Sequence, residues 1–366
     1  MPQPITHYLI VRRGIPKKYW EEYWNENAEV NYKPYFGLGS SAPDLFYLDF
    51  SLSNKINSGI SFLNAMLRKN DFIKQDSKVI SDAIHGDQSF DVFCHMLNEA
   101  KKTLSIDSVA AKKKLAFAIG FYGHVIGDCI IHPYVYRKTG DHWATKDFTN
   151  EAGHKIFECR VDKGLYEYVY EKKMYTTRDF SWQCVDKDDS ELLDKDIWSL
   201  FNSALGKEYA EDIYTTSIDE NRLNNSYKCF VRISENLLKF DAISACIDTD
   251  DDNEFFKSKI SSTNLPNLSP LDLCEIACNT CRVVFQKAFA YFEDEHANGS
   301  KEYFMNSDNS THYLNGNDWN LDTGLLSAFN NEPEMLKECP THFDCHIDEL
   351  QRTYEILALL PGFDEQ

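Results

Sequence analysis

Apolar positions recur at helical spacing along most of the chain. Ile56, Ile60, Phe62, Leu63 and Leu67 share one helical face, and a second such stretch runs from Ser89 to Leu104. The most apolar stretch, Ala110 to Ile131, predicts a third, buried helix. The dipeptide His132-Pro133 is expected to end it, because a residue before proline disfavours helical dihedrals. A loop rich in Gly, Asp and Thr then leads to a helix from about Glu151 to Glu171. Its apolar face is Ile156, Phe157, Val161, Leu165 and Val169.

Residues 1 to 50 carry many aromatic side chains and turn signals such as Lys33-Pro34, which predicts loops and short helices covering another element. The stretch 180 to 270 is acidic, with the runs Asp186 to Asp189 and Asp248 to Asp252. Helices are expected near 190 to 206 and 224 to 246, then a long amphipathic one over Pro270 to Glu293. A polar stretch to Trp319 and a short helical tail over 347 to 360 complete the pattern. The fold class this predicts is all-α. The expected division is a helical core over 1–175, an acidic helical insertion over 176–268, a helix and loop completing the core over 269–330, and a C-terminal tail over 331–366.

Composition agrees with a packed interior, at 43% hydrophobic and 26% charged residues. The net charge of -20, from 58 acidic against 38 basic side chains, argues against a nucleic-acid partner. The only basic run, Lys112 to Lys114, reads as a solvated helix end. No stretch of 18 uninterrupted apolar residues occurs. The amino-terminal residues lack the features of a signal peptide, so a cytoplasmic location, or export without a cleavable signal, is expected. Eleven cysteines without framework spacing read as reduced thiols.

Histidines and carboxylates alter this picture. His124, Asp128 and His132 follow one another at i, i+4 and i+8, and each step turns about 40° around a helix, so all three share a face. That face belongs to an otherwise apolar segment, where a carboxylate needs a compensating charge. His154 and Glu158 repeat the i, i+4 device on the next helix. Nitrogen and carboxylate oxygen donors of this kind suit zinc. His7, Asp44 and His85 are further candidates upstream. A lone histidine on an apolar helix is usually a core residue, but five such residues on two successive helices favour a metal. His142, in the loop between those helices, is a weaker candidate that could replace a neighbour as ligand. His296, His312, His342 and His346 lie in polar segments and are weak candidates. Cys274, Cys278 and Cys281 share a helix face and read first as core residues. Gly120, Gly123 and Gly127 read as packing residues.

The segments THYL, GSSAPDLFY, IHGD, GHVIGDCIIHPYV and GHKIFECRVD together resemble the zinc-dependent phospholipase C family, whose structural relatives include the S1/P1-type nucleases. The resemblance spans residues 1 to about 165, with a weaker echo at YLNGNDWNLDTG. It implies a multi-helix bundle around two or three zinc ions. Asp44, His85, His124 and Asp128 would hold one ion, and His132, His154 and Glu158 a second. Asp128 would bridge to a third site near His7. Secreted members present an amino-terminal Trp to that third ion, whereas here Met1 and Pro2 stand at the start.

The chemistry implied is hydrolysis of a phosphodiester, with Asp44 as the candidate general base. The substrate would be a phospholipid or other phosphodiester, met with peripheral membrane contact; oligomeric state is left open. A single-strand-type nuclease on the same scaffold is the alternative, as is a zinc-stabilised binding protein without activity. No adjacent His-Asp pair of the phosphohydrolase kind and no paired Glu-x-x-His of a di-iron bundle is present.

Overall fold

The computed structural model describes residues 4–25, 30–48, 78–139, 157–158, 160–166, 169–170, 180–185, 192–209, 220–240, 269–305 and 321. Among these the secondary structure is helical, apart from one bridge between Val185 and Leu193. The fold is all-α. The chain begins with α1 (Pro4–Gly14), α2 (Lys17–Tyr23) and α3 (Lys33–Gly39), then a 3-10 helix (Ala42–Leu48). After these come α4 (Lys78–Gly86), α5 (Ser89–Leu104), α6 (Ser108–Thr139), α7 (Lys195–Glu208) and α8 (Glu220–Phe240). The last two are α9 (Pro270–Glu293) and α10 (Ser300–Met305). The helices expected at 56–67 and 347–360, and both acidic runs, lie outside the described residues.

The centre of the molecule is α6, 32 residues long. Asp107 starts it by accepting hydrogen bonds from the backbone N–H groups of Val109 and Ala110, which would otherwise be unsatisfied. Its middle is apolar enough to cross a membrane, but that stretch is wholly buried within the protein by other helices. On one side it packs against α5, where Phe93 and Tyr122 stack at 4.2 Å. On another, α3 crosses it at close range. A Cβ on Gly39 would lie 2.2 Å from the Phe117 carbonyl, and one on Gly120 would lie 2.3 Å from the Phe36 carbonyl. Only a glycine pair allows that crossing. α9 packs on both α1 and α6, and it begins at a full capping box between Ser269 and Asp272.

Three sequence expectations are corrected. α6 does not stop at His132 but runs through Pro133 to Thr139. An interior proline costs about 3 kcal/mol. Tyr134 and Val135, buried just beyond it, each return about 1.5–3 kcal/mol of apolar burial. α1 is an internal helix rather than a cover, with Ile5 to Val11 all buried. Lys113 is no solvated helix end. It is buried and bonds Asp194 at 2.7 Å.

Candidate metal centre

α6 delivers His124, Asp128 and His132 to one place, as their spacing requires, and all three are buried. α1 adds His7, the 3-10 helix adds Asp44, α4 adds His85, and the helical pair 157–158 adds Glu158; these four are buried too. His154, His142, His312, His342 and His346 lie outside the described residues. His296 is exposed, and no described donor group that could hold a metal includes it.

Asp128 is the hub. Its Oδ1 lies 3.1 Å from His7 Nε2 and 3.3 Å from His132 Nε2. Its Oδ2 lies 2.9 Å from His124 Nε2 and 3.4 Å from His85 Nε2. Asp44 closes one flank, 3.3 Å from His85 Nε2 and 3.9 Å from His124 Nε2. Glu158 closes the other, 3.3 Å from His132 Nε2. The His7 and His124 rings stack with centroids 3.9 Å apart.

Three of the four rings are oriented from behind by backbone. His85 Nδ1 donates to the Ser81 carbonyl at 2.7 Å, His124 Nδ1 to Ser40 at 2.9 Å, and His132 Nδ1 to Leu321 at 2.9 Å. A carbonyl only accepts, so the proton sits on Nδ1. In the neutral ring the Nε2 lone pair then faces the carboxylates. Leu321 also donates its own N–H to the His85 carbonyl at 2.7 Å, so the backbone of one residue ties two of the histidine-bearing helices. These carbonyl partners are backbone atoms and leave no mark in a residue pattern.

Acceptors facing acceptors at this depth call for positive charge. Burial, and then the neighbouring His124, hold His7 below the usual histidine range, toward its neutral form. Burial alone would raise Asp128, but His124, His132 and His7 together keep it well below the usual carboxylate range. His7 Nδ1, Asp44 Oδ1, His124 Nε2 and Asp128 Oδ2 are buried without an aligned hydrogen bond. Such groups cost free energy unless something else engages them. Two sets, Asp44 with His85 and His124, and His7 with His124 and Asp128, each bring their ligand atoms within 4.8 Å of one another. Five of the seven distances above fall at 3.1–3.4 Å. A tetrahedron with arms of 2.0–2.2 Å has edges of about 3.3–3.6 Å. The donor types, their spacing and the charge deficit therefore fit zinc.

The cysteine face on α9 does not share this character. Burial pushes the thiols of Cys274 and Cys281 well up and that of Cys278 up to about 12, so all three stay protonated. No described donor group that could hold a metal includes them.

One further residue near the cluster escaped the sequence reading. Asp162, one helical turn beyond Glu158, is buried, and its carboxylate accepts from the backbone N–H groups of Ile5 and Thr6. The signal was present, since Asp162 extends the spacing of His154 and Glu158 by four more residues. It lines a cavity with Thr6, His7, Asp128, His132 and Glu158.

Residues 6–211 match the family model described as zinc dependent phospholipase C, more than half of the 366-residue chain. No curated protein and no solved structure matches the chain. The matched span contains every described residue of the cluster. The chain belongs to the zinc-dependent phospholipase C family.

Proposed function

We propose that this member of the zinc-dependent phospholipase C family hydrolyses the phosphodiester of a phospholipid, releasing the phosphorylated head group. The observation that carries this reading is the convergence of four imidazoles on Asp128, with Asp44 and Glu158 at the flanks. Asp44, His85, His124 and Asp128 would hold one zinc ion, and His132 and Glu158, with His154, a second. His7 and Asp128 would contribute to a third. When bound, zinc neutralises phosphodiester charge and acidifies water, which is the chemistry such a hydrolysis needs.

The chain's own residues supply the rest. Asp128 spans the cluster, so one carboxylate sets the mutual position of all four rings. The carbonyls of Ser81, Ser40 and Leu321 hold three of the imidazoles with Nε2 turned inward. Asp44, at the edge of the cluster on the 3-10 helix, is the base that takes a proton from the attacking water. Water adds to phosphorus, the bond from phosphorus to the glycerol oxygen breaks, and the proton taken up by Asp44 passes to that oxygen, which leaves as diacylglycerol.

The test is zinc content per chain by elemental mass spectrometry, followed by release of phosphorylated head group from phospholipid vesicles. Two or more zinc ions and head-group release that a chelator abolishes support the reading. Zinc without release, or faster cleavage of single-stranded DNA than of phospholipid, overturns it.

A further inference from the structure

His7 differs from the other three imidazoles of the cluster. His85, His124 and His132 each have a backbone carbonyl behind Nδ1. His7 Nδ1 is buried without a hydrogen-bond partner. It faces Gly127, where a Cβ would lie 3.0 Å away. Nε2 meets Asp128 at 3.1 Å and the ring stacks on His124, but nothing holds it from behind at Nδ1, so where it stands against them depends on where α1 begins and how α1 is aimed.

The beginning of α1 is held from across the cluster. Asp162 Oδ1 accepts from the Thr6 backbone N–H at 2.8 Å, and Oδ2 accepts from that of Ile5 at 3.2 Å. Two first-turn N–H groups, which a helix cannot satisfy internally, are thus met by one carboxylate. His7 is the next residue. Asp162 itself stands one turn beyond Glu158 and lines the same cavity as His7, His132 and Glu158. One side chain therefore couples the segment bearing Glu158 to the helix bearing His7.

We propose that Asp162 is the positioning residue of the His7 arm: it fixes the start of α1 and thereby the place of the His7 ring against Asp128 and His124. The proposal rests on the zinc reading of the site only for its consequence in metal affinity, not for the placement itself.

Asp162→Ala, Asp162→Asn, His7→Ala and the double variant Asp162→Ala/His7→Ala are compared in the full chain. Zinc affinity is measured against a buffered free-zinc series. Loss of a residue behind a ligand weakens metal binding by about 10–100-fold. Asp162→Ala should lower affinity by the factor that His7→Ala does, and the double variant should fall no further. Asp162→Asn keeps one accepting oxygen and should fall less. Affinity unchanged in Asp162→Ala, or losses that multiply in the double variant, overturns the proposal. If Asp162→Ala fails to fold by circular dichroism, the Asn variant decides on the same terms.

A second readout needs no metal. The His7 ring resonance, assigned through His7→Ala, should be shifted in the chelated protein by the stacking of the ring on His124. It should move on substitution of Asp162, and an unmoved resonance overturns the placement. A parent chain that binds no zinc would refute the metal reading alone and leave this readout to judge Asp162.

Discussion

Two buried polar clusters lie on α6, with Lys113 and His124 separated by about 16 Å of helix rise. At the near one, Lys113 Nζ bonds Asp194 Oδ2 at 2.7 Å, and the Tyr35 hydroxyl donates to the same oxygen at 2.9 Å. Asp194 Oδ1 accepts from the Asp196 N–H at 2.9 Å, capping α7. Charges and donors balance there, and the cluster ties α3, α6 and α7 together. At the far one, imidazole lone pairs and carboxylate oxygens meet each other with too few protons between them. Burial alone does not separate structure from function on this helix. What separates them is whether the protein completes its own hydrogen bonding, and the far cluster does not.

The largest contrast should come from emptying the hub. Asp128→Ala should lower the proposed phospholipid hydrolysis on the order of 10^4-fold, the scale seen when one member of a cooperating catalytic set is removed. Zinc content should fall with it, and a chelator should reproduce the loss in the parent. The metal-free variant should nevertheless lose little stability against the metal-free parent, because the imidazoles that hold Asp128 ionised leave its Oδ2 without an aligned hydrogen bond. A marked loss of metal-free stability would place the hub among the structural networks instead.

Lys113→Met inverts that outcome. It strands the Asp194 carboxylate in the interior, and breaking a buried pair from one side costs about 3–5 kcal/mol. Chemical denaturation should show that loss, while the folded variant keeps the parent's zinc per chain. Adding Asp194→Asn should recover part of the stability. A drop in zinc content that follows Lys113→Met would mean the two clusters are coupled along α6.

The contrast also marks what could be read from residues alone. The far cluster was legible because i, i+4, i+8 spacing makes His124, Asp128 and His132 face one way on any helix. The near one was not, since Lys113 sits in a run of three lysines and its partner Asp194 is 81 positions away. Side-chain donors can be recognised by type, whereas the carbonyls of Ser40, Ser81 and Leu321 belong to no type at all. Pro133 misled for a related reason: local preference was outweighed by the burial of Tyr134 and Val135, a tertiary quantity. Asp162 continued a visible stripe, but its partners are backbone N–H groups 156 and 157 positions away.

Gly127→Ala sharpens the comparison within the far cluster. A Cβ there would lie 3.0 Å from His7 Nδ1 and 3.2 Å from its Cε1. The ring must shift to admit it, at a cost of about 1–3 kcal/mol for overpacking. Since His7 is the one ring with no carbonyl behind it, the shift should move His7 and spare the other three. Zinc titration should then show weakening confined to the His7 share, with the resonance of His132 unmoved.

The smallest effect tests the opposite boundary, buried donors that are merely core. Cys274, Cys278 and Cys281 lie at the interface of α9 with α1 and α6, and Cys281 Cβ would meet a Cβ on Gly14 at 2.6 Å. Their thiols are protonated by burial, so they present neither negative charge nor a lone pair that needs a cation. Cys278→Ala should therefore cost about 1 kcal/mol, an ordinary core substitution, and leave both zinc content and hydrolysis at the parent level. In the native protein these three thiols should resist alkylation until denaturant exposes them, because the reactive species is the thiolate. Zinc lost on substitution of Cys278 would show that a metal can draw protons from thiols this deep. Protonation and burial would then no longer distinguish the α9 face from the cluster around Asp128.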